Sequence, residues 1–276
     1  MAAAMIASLP DPVELLAWYA EMGVSEALDE EPRNHFAEPQ PVPAARTLTS
    51  PTLATLQGRT ARAPAPVMAG AATAPDDAAL SARTMAQEAT SLEALKEALS
   101  RFEGCALKAT AKNLVFADGN PDGRVMIVGE APGADEDRAG LPFVGRSGQL
   151  LDRMLAAIGL TRKEHVYVAN LLPWRPPGNR TPTPQEVAIC LPFIQRQIQL
   201  ADPDILVCIG GPSAQGLLGL SGIMASRGKW QEYDTGTRRI RALATLHPAY
   251  LLRQPLQKRL SWRDMRALKA ALDPPA

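Results

Sequence analysis

The chain has 276 residues, enough for one large domain or two small ones, and an apolar content of 46% suffices for a sizeable core. Its formal charge is zero, yet residues 1–90 carry 11 acidic and 5 basic side chains against 18 and 24 in 91–276, so an acidic first third precedes a basic remainder suited to a polyanion. Three cysteines without a CxxC pair argue against a disulfide scaffold; a non-basic opening and the lack of any apolar run of about 18 residues argue against a leader and a membrane span, so a cytoplasmic protein without membrane contact is expected.

In chain order, residues 12–29 (PVELLAWYAEMGVSEALD) read as a short amphipathic helix with Leu15, Leu16, Trp18, Tyr19 and Met22 on one face, within an N-terminal segment 1–30. Residues 31–90 are rich in Pro, Ala and Thr and poor in large apolar side chains. Such a stretch buries too little to offset its ordering entropy and is expected to be a disordered linker, and residues 1–90 together offer a contact for a protein partner. Order should resume at Ser91, which can cap a helix over 92–101, and continue through a domain spanning 91–276. Four β-rich apolar runs follow, at Val125–Val128, Val166–Leu171, Ile205–Ile209 and Ile240–Leu246. Helical patterns at 146–158, 184–200, 212–218 and 261–272 separate and follow them. This alternation predicts an α/β fold, three layers (α/β/α) around a central four-stranded parallel sheet. Sites in such folds gather at the carboxyl ends of the strands, here Gly129–Asp137, Asn170, Gly210–Ser213 and His247.

The first strand runs into Gly129-Glu130-Ala131-Pro132-Gly133, a turn in which Gly129 and Gly133 let the backbone approach a ligand and Pro132 stiffens the path. A Gly/Pro turn after a strand is by itself more often structural, as is a His before Pro such as His247. Phe143 beside Pro142 reads equally as a core residue. Tyr250, Leu251, Leu252 and Arg253 read equally as a helix packing on the core or as an apolar wedge with a phosphate-facing cation.

Residues 105–272 resemble the family-4 uracil-DNA glycosylases, in the blocks VFADGNPDGRVMIVGEAPGADED, GLPFVGRSGQLLDRML, VYVANLLPWRPPGNRTPTPQE, RGKW and HPAYLLR, all in family order. The resemblance implies a uracil-DNA glycosylase-like fold and a DNA-repair hydrolase that cleaves the N-glycosidic bond of uracil after base flipping, leaving an abasic site. It further implies Glu130 and His247 as catalytic residues, Glu130 on the attacking water and His247 at the uracil O2. Gly129, Ala131, Phe143 and Asn170 would contact the base. Leu251, Leu252 and Arg253 would contact DNA as the wedge and its cation; Arg175, Arg180, Arg227 and Lys229 are candidate phosphate contacts, each of which alone reads more readily as an ordinary solvated charge. The setting it implies is the bacterial cytosol and nucleoid, with uracil-containing DNA as partner, and a monomer is expected. The competing expectation is a catalytically weak damage-recognition or repair-complex adaptor on the same fold.

The family usually holds a four-iron cluster on four cysteines. The positions implied here are Phe102, Cys105, Trp174 and Cys190, of which only Cys105 and Cys190 are cysteines. Phe and Trp cannot ligate iron, and four thiolates are the rule for such clusters. The expectation is therefore no cluster and no other cofactor, with Phe102 and Trp174 filling its volume. Ala131 stands where some relatives have Gly, and its methyl would trim the base pocket.

Overall fold

In the computed structural model the described residues are 75–273. The expected helix 12–29 and residues 31–74 of the expected linker lie outside them. The rest of that linker is not a loop: Pro75–Glu88 forms helix α1. Ala78, Ala82, Ala86 and Ala89 are buried, making a small-residue stripe at helical spacing. This stripe lets α1 lie along helix α7 (Pro184–Ala201). The α1 end is fixed there by Arg196, whose guanidinium donates twice to the Ala89 carbonyl at 3.0 and 2.8 Å. The linker expectation counted large apolar side chains. An alanine stripe needs none, because close approach of two backbones supplies the contact.

Helix α2 (Leu92–Arg101) starts where expected, with Ser91 accepting from the Ala94 N–H at 3.1 Å. A single-turn helix α3 (Leu107–Thr110) follows. The sheet has six strands in the order β1-β3-β2-β4-β6-β5. Strands β2 (Val125–Gly129), β3 (Val166–Asn170), β4 (Ile205–Ile209) and β6 (Arg239–Thr245) form the expected parallel centre. The short β1 (Asp118–Gly119) and β5 (Trp230–Asp234) add antiparallel edges. Neither was expected, because the two-residue β1 and the mixed, half-exposed β5 carry no apolar run.

Alternate residues of each central strand serve opposite faces. Met126, Val128, Leu206 and Cys208 pack with α1, α2 and α7, while Val125, Ile127, Val207 and Ile209 pack with helices α5 (Arg146–Ala156) and α11 (Lys258–Leu272). From β2 the chain passes to β3 on one side; from β3 it crosses to β4 on the other. The connections leave β2 and β4 in opposite directions, so the switch point lies between these strands, and a crevice opens at the carboxyl ends of the central strands. Helix α4 (Ala134–Ala139) follows β2, α6 (Arg162–His165) precedes β3, α8 (Gly211–Leu218) follows β4, and α9 (Ile223–Ser226) precedes β5. After β6 comes α10 (Pro248–Arg253), then a 3₁₀ turn, Pro255–Gln257. None of the described helices is long and apolar enough to cross a membrane.

Candidate active site

A cavity of about 390 Å³ opens at this crevice, and Glu130, Ala131, Phe143, Asn170, His247 and Arg253 all line it. The sequence expectation thus names residues from four distant segments that the fold brings together. Gly129 is the exception, because it lies beneath the cavity rather than on its wall. A side chain there would sit 2.5 Å from both Asn170 Oδ1 and Phe143 Cζ. Its role is steric: a bare backbone lets the amide and the ring meet over the strand end. Gly210–Ser213 also falls outside this cavity. Ser213 is fully buried and donates to the Gly210 carbonyl at 3.2 Å, and Gly210 backs the His247 ring.

Glu130 follows β2 directly, and the Leu172 N–H donating to its carbonyl at 3.0 Å prolongs the β2–β3 alignment one step past the strands. Its carboxyl is half-buried, and burial alone pushes its pKa above the ordinary glutamate value. It therefore stands as a carboxylate of raised basicity at the cavity wall.

Phe143 has a left-handed backbone, φ 53°, which a bulky side chain adopts at a cost of roughly 1–3 kcal/mol. Three features hold it there. Arg162, itself mostly buried, donates to the Pro142 carbonyl at 2.9 Å and the Phe143 carbonyl at 2.6 Å, and is paired with Asp118 and Asp152. Glu136 accepts from the Val144 and Gly145 N–H groups at 3.1 and 3.0 Å and from Gly133 N–H at 3.1 Å. Gly148 leaves room, since a Cβ there would lie 1.7 Å from the Phe143 carbonyl oxygen. Glu136 thus ties the Glu130 turn to the Phe143 loop through one carboxylate. Neither Glu136 nor Arg162 was singled out from sequence, and the Glu-x-x position three after Gly133 is the sole local signal, a helix cap.

His247 caps α10, its Nδ1 accepting from the Ala249 N–H at 3.1 Å. Burial, aided by nearby Arg253, lowers its pKa to about 4. A neutral imidazole that accepts at Nδ1 carries its proton on Nε2. The ring lies 5.6 Å from that of Phe143, centroid to centroid, tilted by 31°. The cavity therefore presents a neutral donor, an amide with both donor and acceptor, an aromatic face and a carboxylate.

The family model described as Uracil DNA glycosylase superfamily matches residues 116–268, more than half of the chain. The chain belongs to this superfamily. Within it the chain is similar to type-4 uracil-DNA glycosylases. That of Archaeoglobus fulgidus is 40% identical over 170 residues, covering 60% of this chain and 85% of the relative. That of Thermotoga maritima is 37% identical over 163 residues, covering 59% and 83%. That of Pyrobaculum aerophilum is 40% identical over 169 residues, covering 59% and 86%. The molecule is a uracil-DNA glycosylase of the type-4 family.

Around the glycosylase pocket the expected DNA-contacting residues divide. Arg180 lines the cavity and is held by both carboxylate oxygens of Glu186, at 2.9 and 2.6 Å, which leaves its outer edge exposed. Arg175 is braced by Asn179 Oδ1 at 2.7 Å, and Lys229 is exposed. Arg253 is exposed at the rim, and Leu252 is partly exposed on α10. Two expectations fail. Arg227 is turned inward onto the buried Asp264, donating from Nε to Oδ2 at 2.8 Å and from Nη2 to Oδ1, and cannot reach a phosphate. Leu251 is 1% exposed and packs into the core, so the reading of α10 as a packing helix holds at that residue.

The side chains at the four cluster positions decide whether a cluster fits there. Phe102, Cys105, Trp174 and Cys190 are all buried. Cys105 Sγ and Cys190 Sγ are 3.9 Å apart, and Phe102 stacks edge-on against Phe193 with centroids 5.1 Å apart. Two thiols and two rings do not fit a four-thiolate cluster. Among the described residues no group of three metal-ligating side chains occurs.

Proposed function

We propose that this glycosylase hydrolyses the N-glycosidic bond of a flipped deoxyuridine, with His247 and Glu130 as its catalytic pair. The observation that carries the reading is the fixed neutral tautomer of His247. With Nδ1 occupied by the Ala249 N–H, the Nε2–H is the donor left for a base oxygen that accumulates charge. Asn170 offers its amide to the complementary donor and acceptor of the uracil edge, Phe143 stacks on the ring, and the Ala131 methyl limits the pocket.

As the bond from C1′ to N1 breaks, the electron pair leaves with the base and positive charge grows on the sugar. Glu130 orients a water toward C1′ and accepts its proton as the new C–O bond forms. The products are uracil, protonated from solvent, and an abasic sugar. Arg175, Arg180, Lys229 and Arg253 hold phosphates, and the nucleotide is extruded from the duplex before chemistry so that its base can enter the cavity. No iron is required, since rings stand at two of the four cluster positions, and the cytoplasm is the compartment that holds the substrate.

Single-turnover release of uracil from a uracil-bearing oligonucleotide tests the assignment. His247→Ala should slow it on the order of 10²–10³-fold, and Glu130→Ala roughly 10²–10⁴-fold, with unfolding midpoints close to wild type. Near-wild-type rates in both variants would remove these residues from the reaction.

A further inference from the structure

We infer that Asp264 is a positioning residue for the reaction: acting through the Thr245 hydroxyl, it sets where His247 presents its Nε2–H to the base. The inference rests on the glycosylase reading of the cavity.

Asp264 lies on α11 with its side chain 2% exposed, and its carboxylate is met by two other side chains. Arg227 donates from Nε to Oδ2 at 2.8 Å and from Nη2 to Oδ1, and the Thr245 hydroxyl donates to Oδ2 at 2.6 Å. The same Nη2 donates to the Leu260 carbonyl at 2.8 Å, so the guanidinium is held against both the carboxylate and the helix turn before it. A two-pronged contact of this kind fixes the plane of a carboxylate as well as its place. Gly228 keeps the approach open, since a Cβ there would lie 2.6 Å from Asp264 Oδ1. Its N–H donates to the Ala244 carbonyl at 2.9 Å, which ties the Arg227 segment to β6 itself.

Thr245 is the last residue of β6 and is fully buried. Its hydroxyl is held by Asp264, and its carbonyl accepts from the Gly210 N–H at 2.9 Å. His247 follows two residues later. Gly210 in turn backs the imidazole, because a Cβ on it would meet His247 Cβ at 3.3 Å and Cδ2 at 3.6 Å. Thr245 therefore governs both the strand that delivers the histidine and the glycine against which its ring rests. A displaced Thr245 would carry the two together.

Stability does not account for the ion pair. Burying two charges costs desolvation that their attraction barely returns, and apolar side chains of similar volume often fill such a place equally well. What the charged pair supplies, and an apolar contact does not, is direction: the buried Thr245 hydroxyl has one acceptor to point at. Direction matters two residues from a catalytic donor, where a misplacement on the order of 1 Å lowers a rate by roughly 10²-fold.

The test uses Thr245→Val, which keeps the side-chain shape and removes the donor, Thr245→Ser, which keeps the donor, and Asp264→Asn, which removes the charge. Single-turnover uracil release, and Kd for a strand bearing a non-hydrolysable uracil nucleotide, are measured for each, alone and in the His247→Ala background. Thr245→Val and Asp264→Asn should each slow release on the order of tenfold with Kd within about twofold of wild type, and Thr245→Ser should keep most of the rate. In His247→Ala neither Thr245→Val nor Asp264→Asn should slow release further, because the group they place is gone. Asp264→Asn is read only if it unfolds cooperatively; Thr245→Val leaves the ion pair whole and decides alone. Equal losses in the two backgrounds, no loss at all, or a loss with serine as large as with valine would overturn the inference and leave Asp264 a packing residue. If His247→Ala itself matches the wild-type rate, the reading of the cavity fails, and the inference with it.

Discussion

At the scale of single residues, Glu130 and His247 are shifted in opposite senses by the same cause, burial, because one is charged when it loses a proton and the other when it gains one. A carboxylate that must be ionised to orient water loses function on acidification, and its limb lies above the 4.5 of a free glutamate because its pKa is raised. His247 stays neutral down to about pH 4, so it adds no second limb above that. The rate of uracil release should therefore fall on acidification with one proton taken up, and Glu130→Gln should abolish that limb along with most of the rate. A limb that persists in Glu130→Gln would point to the histidine instead. Glu130, Asn170 and His247 were legible because each ends or closely follows an apolar strand run, and the alternating fold says where strand ends meet. Leu251 and Arg227 were not. Whether a leucine in a short helix faces core or solvent, or an arginine faces Asp264 or water, depends on packing between segments far apart in the chain.

At the scale of elements, the loop over residues 141–145 shows how a strained backbone is held by groups outside it. Arg162→Ala removes two donors from that loop and leaves Asp118 and Asp152 without their shared cation. It should destabilise the protein by about 2–3 kcal/mol and reduce kcat by more than about tenfold as the Phe143 ring leaves its position. Arg162→Lys, which keeps the charge but not the fork, should recover stability in part and activity little. Urea unfolding and uracil release on the same preparations separate the two effects. Little of this clamp could be read from sequence, since Arg162 lies 19 residues from Phe143 in a short helix of ordinary charged composition. Helix α2 and the four central strands were legible within a residue or so because cap and periodicity agree. Helix α1 was not, because its buried stripe is made of alanine.

At the scale of the whole molecule, the three layers place chemistry at the carboxyl end of the sheet and the four cluster positions on the α1, α2 and α7 side. Purified protein should be colourless, carry far less than one iron per chain, and keep its rate of uracil release after dialysis against a strong chelator. Stoichiometric iron with a visible absorption band would refute the ring-filled reading. Phe102 and Trp174 in place of thiolates also change what the cell must supply. A clustered lobe folds only as fast as iron and sulfide are delivered, and it can be dismantled by superoxide or nitric oxide. On the ring-filled reading the lobe needs neither iron nor sulfide to fold, and excision of uracil should continue in iron-starved cells, which a glycosylase assay on their extracts checks.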